Sequence, residues 1–111
     1  MKTGEIWLVN FSPSVGDEIG KTRPAVVVGN DRIAGLELRI VVPITGKKHP
    51  IRPWHVKIRP SGTNNLTKES LVDCFQLKSV SKRRFGRKIG SLSVQDIDTV
   101  KVCIAEVLDL L

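Results

Sequence analysis

The chain has 111 residues, 41% of them apolar and 26% charged, which suits one folded domain and excludes both a disordered polymer and two ordinary domains. No apolar run approaches the ~20 residues of a membrane-spanning helix. The Ile6–Val9 run, with Glu5 before it, is too short for a signal-peptide core, so a cytoplasmic protein is expected. A net charge of +7 and a pI near 9.9 point to polyanionic partners, either nucleic acid or an acidic protein.

The elements follow in chain order. Ile6–Phe11 alternates, with Trp7, Val9 and Phe11 on one face of a strand. Gly16-Asp17-Glu18-Ile19-Gly20-Lys21-Thr22-Arg23 is a long connection, suited either to a structural role or to holding binding groups over a scaffold. Its spacing is not that of a phosphate-binding P-loop. Pro24–Val28 is a short strand closed by the turn Gly29-Asn30-Asp31, and Pro24, with no N–H, fits its first position. Leu38–Thr45 is the next strand, with Leu38, Ile40, Val42 and Ile44 on one face and Arg39, Val41, Pro43 and Thr45 on the other.

If these two strands pair antiparallel, Arg23 and Thr45 reach the same sheet edge beneath the Gly16–Thr22 connection. A guanidinium and a hydroxyl there could bind phosphate oxygens. Thr45 could equally satisfy the turn that begins at Gly46. Two basic runs follow, Lys47-Lys48-His49-Pro50-Ile51-Arg52 and Lys82–Lys88. Each reads either as a phosphate-backbone track or as a solvated turn, and the first extends from the end of Thr45's strand.

Trp54–Ile58 alternates as a strand, Pro60–Asn65 is a loop, and Ser70–Gln76 reads as a further strand. Trp54 and Phe75 suit either core packing or stacking on bases. Ser93 followed by Asp96 marks a helix start. Val94, Ile97, Val100, Ile104, Val107, Leu108 and Leu111 then recur at helical spacing, with the final turn ending at Leu111. Cys74 and Cys103 read as buried thiols in a reducing compartment, and two scattered histidines, His49 and His55, argue against a structural zinc site. The whole predicts a mainly β chain, a small, strongly curved antiparallel sheet or barrel with one C-terminal helix over an opening. The helix stripe either plugs this barrel or partly meets a second subunit.

Across nearly its whole length the chain resembles the MazF/PemK/Kid family of toxin endoribonucleases. The matching pieces are Gly4–Val9, Gly16–Val28, Val42–Thr45, Leu66–Ser70, Gln76–Val80 and Lys88–Ser93, in the family's order. The resemblance implies a single domain over residues 1–111 with an SH3-like β-barrel fold. It implies a homodimer that cleaves single-stranded RNA at short motifs without metal or other cofactor. A cognate antitoxin would block the RNA groove with its C-terminal segment.

By the same resemblance, Arg23, Thr45 and Glu18 fall on catalytic positions, and Asp17, Lys21, Lys47, Lys48, Arg52 and Gln76 form the RNA-contacting set. There are departures. Asp73 and Phe75 stand where some members carry an arginine and an aspartate used in cleavage, the loop has no histidine, and Lys78-Ser79-Val80-Ser81 replaces Arg-Thr-Ile-Asp. The chemistry expected is attack by the 2′-OH on its adjacent phosphodiester, leaving a 2′,3′-cyclic phosphate and a 5′-OH. Arg23 would act mainly as an electrostatic clamp, since a guanidinium keeps its proton. Glu18 would orient Arg23 or accept a proton. The alternative is a non-catalytic RNA-binding or gyrase-poison-like toxin on the same fold.

Overall fold

A computed structural model describes residues 1–33, 35, 37–46 and 50–111. Seven strands precede one helix: β1 (Glu5–Asn10), β2 (Thr22–Val28), β3 (Leu38–Gly46), β4 (His55–Ile58), β5 (Ser70–Asp73), β6 (Lys78–Ser81), β7 (Phe85–Ser91) and α1 (Val94–Val107). Two single 3-10 turns, Cys74–Gln76 and Lys82–Arg84, sit at either end of β6. The strands form one antiparallel sheet in the order β4-β5-β3-β2-β1-β7, with β6 also paired to β3. No helix among the described residues is long and apolar enough to cross a membrane.

Strand β3 bends the sheet. Along one edge it pairs with β2, from Val28↔Ile40 to Ala25↔Pro43. Along the other, Leu38–Val41 pairs with β6 and Ile44–Gly46 with β5. Between these two partners lie Val42 and Pro43, where the 3-10 turn Cys74–Gln76 interrupts the neighbouring chain. Pro43 has no N–H to offer a ladder bond at that point.

Both faces of the central strands are covered. Val26, Val28, Val42 and Ile44 point into the main core with Ile6, Ile58 and Val72, and α1 closes it with Val100 and Cys103. The opposite face of β2 and β3 (Ala25, Val27, Val41) packs with Val9, Phe11 and Val80, under Trp7, Ile19 and Phe85. The expected grouping of Trp7, Val9 and Phe11 therefore holds. The expected apolar face of β3 holds only at Val42 and Ile44, because Leu38 and Ile40 are exposed where the sheet splays toward β6.

Several boundaries differ from the sequence expectation. Strand β2 begins at Thr22, so Pro24 is its third residue, opposite Leu8, and not its first. The strand read over Ser70–Gln76 stops at Asp73, whose carboxylate accepts the Phe75 N–H (3.1 Å) and so caps a 3-10 turn. Strand β7 occupies part of the second basic run, where two glycines and the adjacent cations Arg87 and Lys88 hide a strand pattern. The helix ends at Val107, not Leu111. Asp109 takes a left-handed conformation (φ 58°), and the Leu110 N–H returns to the Ala105 carbonyl (2.8 Å), a Schellman-type stop. Both cysteines are buried free thiols, as expected. Burial, with Cys103 beside it, pushes the Cys74 thiol well above the ordinary range.

The two ends of the sheet, β4 and β7, are joined by a loop instead of by strand pairing. The chain leaving β4 runs into the 60–65 loop, built around the buried Asn64, whose amide spans the Ser61 and Leu66 N–H groups and the Arg59 carbonyl. That loop meets β7 through Ser91 N–H to Thr63 O (2.9 Å) and Asn65 Nδ2 to Ile89 O (2.9 Å). The approach is so close that a β-carbon at Gly90 would lie 2.4 Å from the Thr63 carbonyl oxygen. Gly90→Ala therefore forces backbone apart at this seam. We expect a loss of about 1–3 kcal/mol and a drop in Tm of roughly 5–15 °C by calorimetry; an unchanged Tm would refute the seam.

Glu5 secures the opposite side of β7. Its carboxylate accepts the Lys2 N–H (2.9 Å) and the Trp7 indole N–H (3.0 Å) and pairs with Lys88 Nζ (2.9 Å). Burial alone would raise this carboxyl, but those three donors outweigh it and hold it down, from 4.5 to about 2. A depressed carboxyl stabilises the fold above its unfolded value and stops doing so as pH falls through its folded value. Glu5→Gln should cost about 1 kcal/mol at neutral pH after solvent screening. Urea titrations should show the gap from wild type closing between pH 4.5 and about 2.

Candidate active site

The β2–β3 ladder runs in a constant register that ends at Ala25↔Pro43. Continued two residues further, that register would set Arg23 against Thr45, but the pairing stops before them and Ile44–Gly46 pairs with β5 instead. On its other side Arg23 pairs with Val9 of β1, which fixes its backbone along that flank. The following proline restricts that backbone to extended conformations. The Arg23 side chain is half-buried, and its Nε donates to the Gly20 carbonyl (2.9 Å). Its two Nη groups make no hydrogen bond among the described residues, so the charged fork is aimed but unspent. The Thr45 hydroxyl is also half-buried, with only a long 3.5 Å contact to the Gly46 carbonyl. The reading of Thr45 as a satisfied turn hydroxyl is thus weak.

Lys68 is a residue the sequence reading assigned no role. Its ammonium reaches over Gly46, where a β-carbon would lie 3.4 Å from Nζ. It places a third cation-bearing or donor side chain at this sheet end. The only advance signal was its place in the Leu66–Ser70 segment.

The loop between β1 and β2 lies against the 3-10 turn Cys74–Gln76. Gln76 holds it at two points: its side-chain oxygen accepts the Ile19 N–H (3.2 Å), and its Nε2 donates to the Asp17 carbonyl (3.0 Å). Glu18 is exposed, and its Oε1 accepts the Val15 N–H within the loop (2.8 Å). No ion pair joins Glu18 to Arg23 among the described residues. A cavity of about 440 Å³ opens between loop and turn, lined by Asp17, Glu18, Ile19, Pro43, Phe75, Gln76 and Lys78 among others. Arg23 and Thr45 are not among its walls, but Pro43, two residues before Thr45, is.

The turn itself rests on Asp73. Burial raises this carboxyl, while His55 and the Phe75 and Gln76 N–H groups oppose the rise. His55 Nε2 lies 3.8 Å from Asp73 Oδ2, and His55 Nδ1 accepts the Arg52 N–H (3.0 Å), which leaves the ring proton on Nε2 facing Asp73. Asp73 and His55 thus support the turn and do not enter the cavity.

The remaining expected contacts divide. Lys21 is exposed on the loop with φ 65°, and its N–H donates to Ser12 Oγ (2.9 Å). Arg52 is exposed beside His55. Lys47 and Lys48 lie outside the described residues. Much of the second basic run has structural work: Arg84 donates to the Asn10 (3.0 Å) and Ser12 (2.6 Å) carbonyls, and Lys88 pairs with Glu5. A larger cavity of about 690 Å³, between the β2–β3 turn and α1, is walled by Val28, Ile40, Ile104 and Leu108 and holds none of the expected site residues.

The family profile of PemK-like, MazF-like toxins of type II toxin–antitoxin systems matches residues 2–108, and the chain belongs to that family. It is 32% identical to Endoribonuclease MazF9 of Mycobacterium tuberculosis, over 99% of this chain and 98% of that protein. It is 31% identical to Endoribonuclease MazF of Staphylococcus saprophyticus, over 94% and 88%. Among solved structures, MazF of Deinococcus radiodurans superimposes with a TM-score of 0.83 at 22% identity, over 98% of this chain and 96% of that one. The likeness confirms the mainly β architecture with its C-terminal helix.

The Gln76 tether makes a local prediction. Gln76→Ala removes both bonds to the loop while leaving the core intact. Hydrogen exchange at the Ile19 amide should speed up by roughly tenfold, with core amides such as Val26 unchanged. Equal protection in both proteins would show that the loop is held by other means.

Proposed function

We propose that this endoribonuclease toxin cleaves single-stranded RNA at the Arg23–Thr45 sheet end. The 2′-OH attacks its neighbouring phosphorus and gives up its proton, the bond to the 5′-oxygen breaks and that oxygen takes a proton from water, and the products are a 2′,3′-cyclic phosphate and a 5′-OH. What supports the reading is that Arg23, near the start of β2, spends only its Nε in a hydrogen bond, while Thr45, near the end of β3, has only a long 3.5 Å contact for its hydroxyl. Negative charge grows on the phosphoryl oxygens as phosphorus becomes five-coordinate. Fixed donors aimed at that charge lower the barrier without reorganising during the reaction. The Arg23 guanidinium supplies two of them, the Thr45 hydroxyl another, and Lys68 adds positive charge beside them. A guanidinium is a poor base, so the 2′-OH proton passes to another group. Glu18, with Oε1 engaged by Val15 and Oε2 unengaged among the described residues, is the loop carboxylate proposed to take it.

The RNA backbone would follow Asp17, Lys21, Arg52 and the cavity under the loop, with Lys47 and Lys48 extending the track. No metal or other cofactor is required by this scheme. The working unit is a homodimer, supported by the exposed Ile40 and Leu108 in the wall of the larger cavity. The reaction takes place on cytoplasmic mRNA and stops growth until a cognate antitoxin, of the kind seen with the Deinococcus relative in the MazE–MazF crystal structures, fills the groove.

The test is cleavage of one long RNA in EDTA, with sequencing of both new ends. We expect cuts at a short motif, cyclic phosphate ends, and no cutting where the attacking ribose is 2′-deoxy. Arg23→Ala and Thr45→Ala should each slow cleavage by about 10²–10³-fold while staying folded. Full activity of Arg23→Ala, or loss of activity in EDTA, would overturn the mechanism. Growth arrest with intact RNA would instead favour a non-catalytic toxin.

A further inference from the structure

Phe75 is the one aromatic residue among the exposed large apolar side chains, with 66% of its surface open. The other phenylalanines are engaged: Phe11 is buried, and Phe85 meets Trp7 edge-on at 5.9 Å. Nor is Phe75 loosely held. Its N–H donates to Asp73 Oδ1 (3.1 Å), and the preceding Cys74 N–H donates to the Trp54 carbonyl (3.0 Å). Its ring meets Trp54 in a T-shaped contact, with centroids 5.5 Å apart and planes at 79°. The ring is therefore positioned before any ligand arrives.

Its location gives it a use. Phe75 is a wall of the 440 Å³ cavity beneath the loop and also of a neighbouring cavity of about 290 Å³, lined by Pro53, Trp54, Glu106 and Val107. It forms the ridge between them. A strand lying in the loop cavity, with Lys78 in its wall, reaches this ring as it leaves.

We propose that Phe75, braced by Trp54, is a stacking platform for an unpaired RNA base flanking the scissile phosphate. The inference rests on the RNA-cleavage reading above. A flat π-surface is how unpaired bases are gripped, because each base offers a face to stack; the walls beside Phe75 carry Asp17, Glu18 and Glu106 against Lys78 alone, so stacking and not local charge would supply this contact. The chain's endoribonuclease relatives favour an RNA strand as the occupant.

The experiment uses a fluorescein-labelled 2′-O-methyl oligonucleotide spanning the site that wild-type protein cuts most strongly. The methyl group blocks attack, so anisotropy reads binding alone. Phe75→Ala and Phe75→Leu should each bind about 10- to 100-fold more weakly, and Phe75→Trp within about threefold of wild type. Leucine matches the apolar bulk without the π-face, so Phe75→Leu binding as wild type overturns stacking. Wild-type affinity in every variant, with RNA still cut by the parent, removes the subsite and leaves the cleavage reading standing. A parent that neither binds nor cuts RNA removes both. Retained RNA affinity in Phe75→Ala, with loss of the dimer in sedimentation or of antitoxin binding, assigns the ring to a protein contact and overturns the proposal.

Discussion

A proline inside a paired strand removes an N–H that a ladder bond needs, and in β3 that position is Pro43. Strand β3 serves three neighbours: β2 along one edge, β6 and then β5 along the other. At Val42 and Pro43 the second edge has no strand against it. The neighbouring chain crosses this gap as a 3-10 turn, stabilised by the Asp73 carboxylate bonding the Phe75 N–H. The features of the site descend from that gap. The turn projects Phe75 outward, and it turns Gln76 onto the β1–β2 loop. The change of partner also bends β3, so that Thr45 belongs to one half of the sheet while Pro43 still pairs with the other.

This arrangement divides rigid from tethered parts. Arg23 and Thr45 sit on strands whose central valines are buried on both faces, so their spacing is set by the core. Glu18 sits on a loop held by side-chain contacts from Gln76 and by the packing of Ile19 against the second core cluster. In the proposed reaction the groups that must meet developing charge with little error are on the rigid side. The group that trades a proton is on the side able to adjust. The seam at Gly90 contributes indirectly: closing the sheet through the 60–65 loop leaves the Leu66–Ser70 segment directed back toward Gly46, where Lys68 arrives.

The sequence made much of this legible, for identifiable reasons. The β2 and β3 runs are short, β-branched and bounded by turn residues, so their antiparallel pairing could be inferred. The helix start at Ser93 carries a capping signal that the structure repeats, with Ser93 Oγ accepting the Asp96 N–H (3.1 Å). What escaped was built from long-range or non-periodic interactions. Strand β7 has two glycines and charged residues where a strand pattern would place apolar ones, and it is a strand because Glu5, Trp7 and the 60–65 loop pair with it. The 3-10 turn looked like a strand because Leu71 and Val72 lead into it. Its cause, a gap opposite Pro43, appears only once β3's partners are known. Gln76 was expected to touch RNA, while its amide is engaged by the loop backbone, a bond across 57 residues that no local pattern reports.

The same reasoning separates the basic residues that could hold a substrate from those that hold the fold. Charge count alone treats Arg23, Arg84 and Lys88 as equals. Arg84 spends its guanidinium on two carbonyls of the chain leaving β1, and Lys88 is neutralised by Glu5. Arg23 uses only Nε, and that single bond to Gly20 orients the fork without satisfying it. A partly satisfied cation, held on a paired strand, retains the capacity to bind an anion with little reorganisation. In the proposed reaction that residual capacity, more than the chain's net charge, is what Arg23 would offer a phosphodiester.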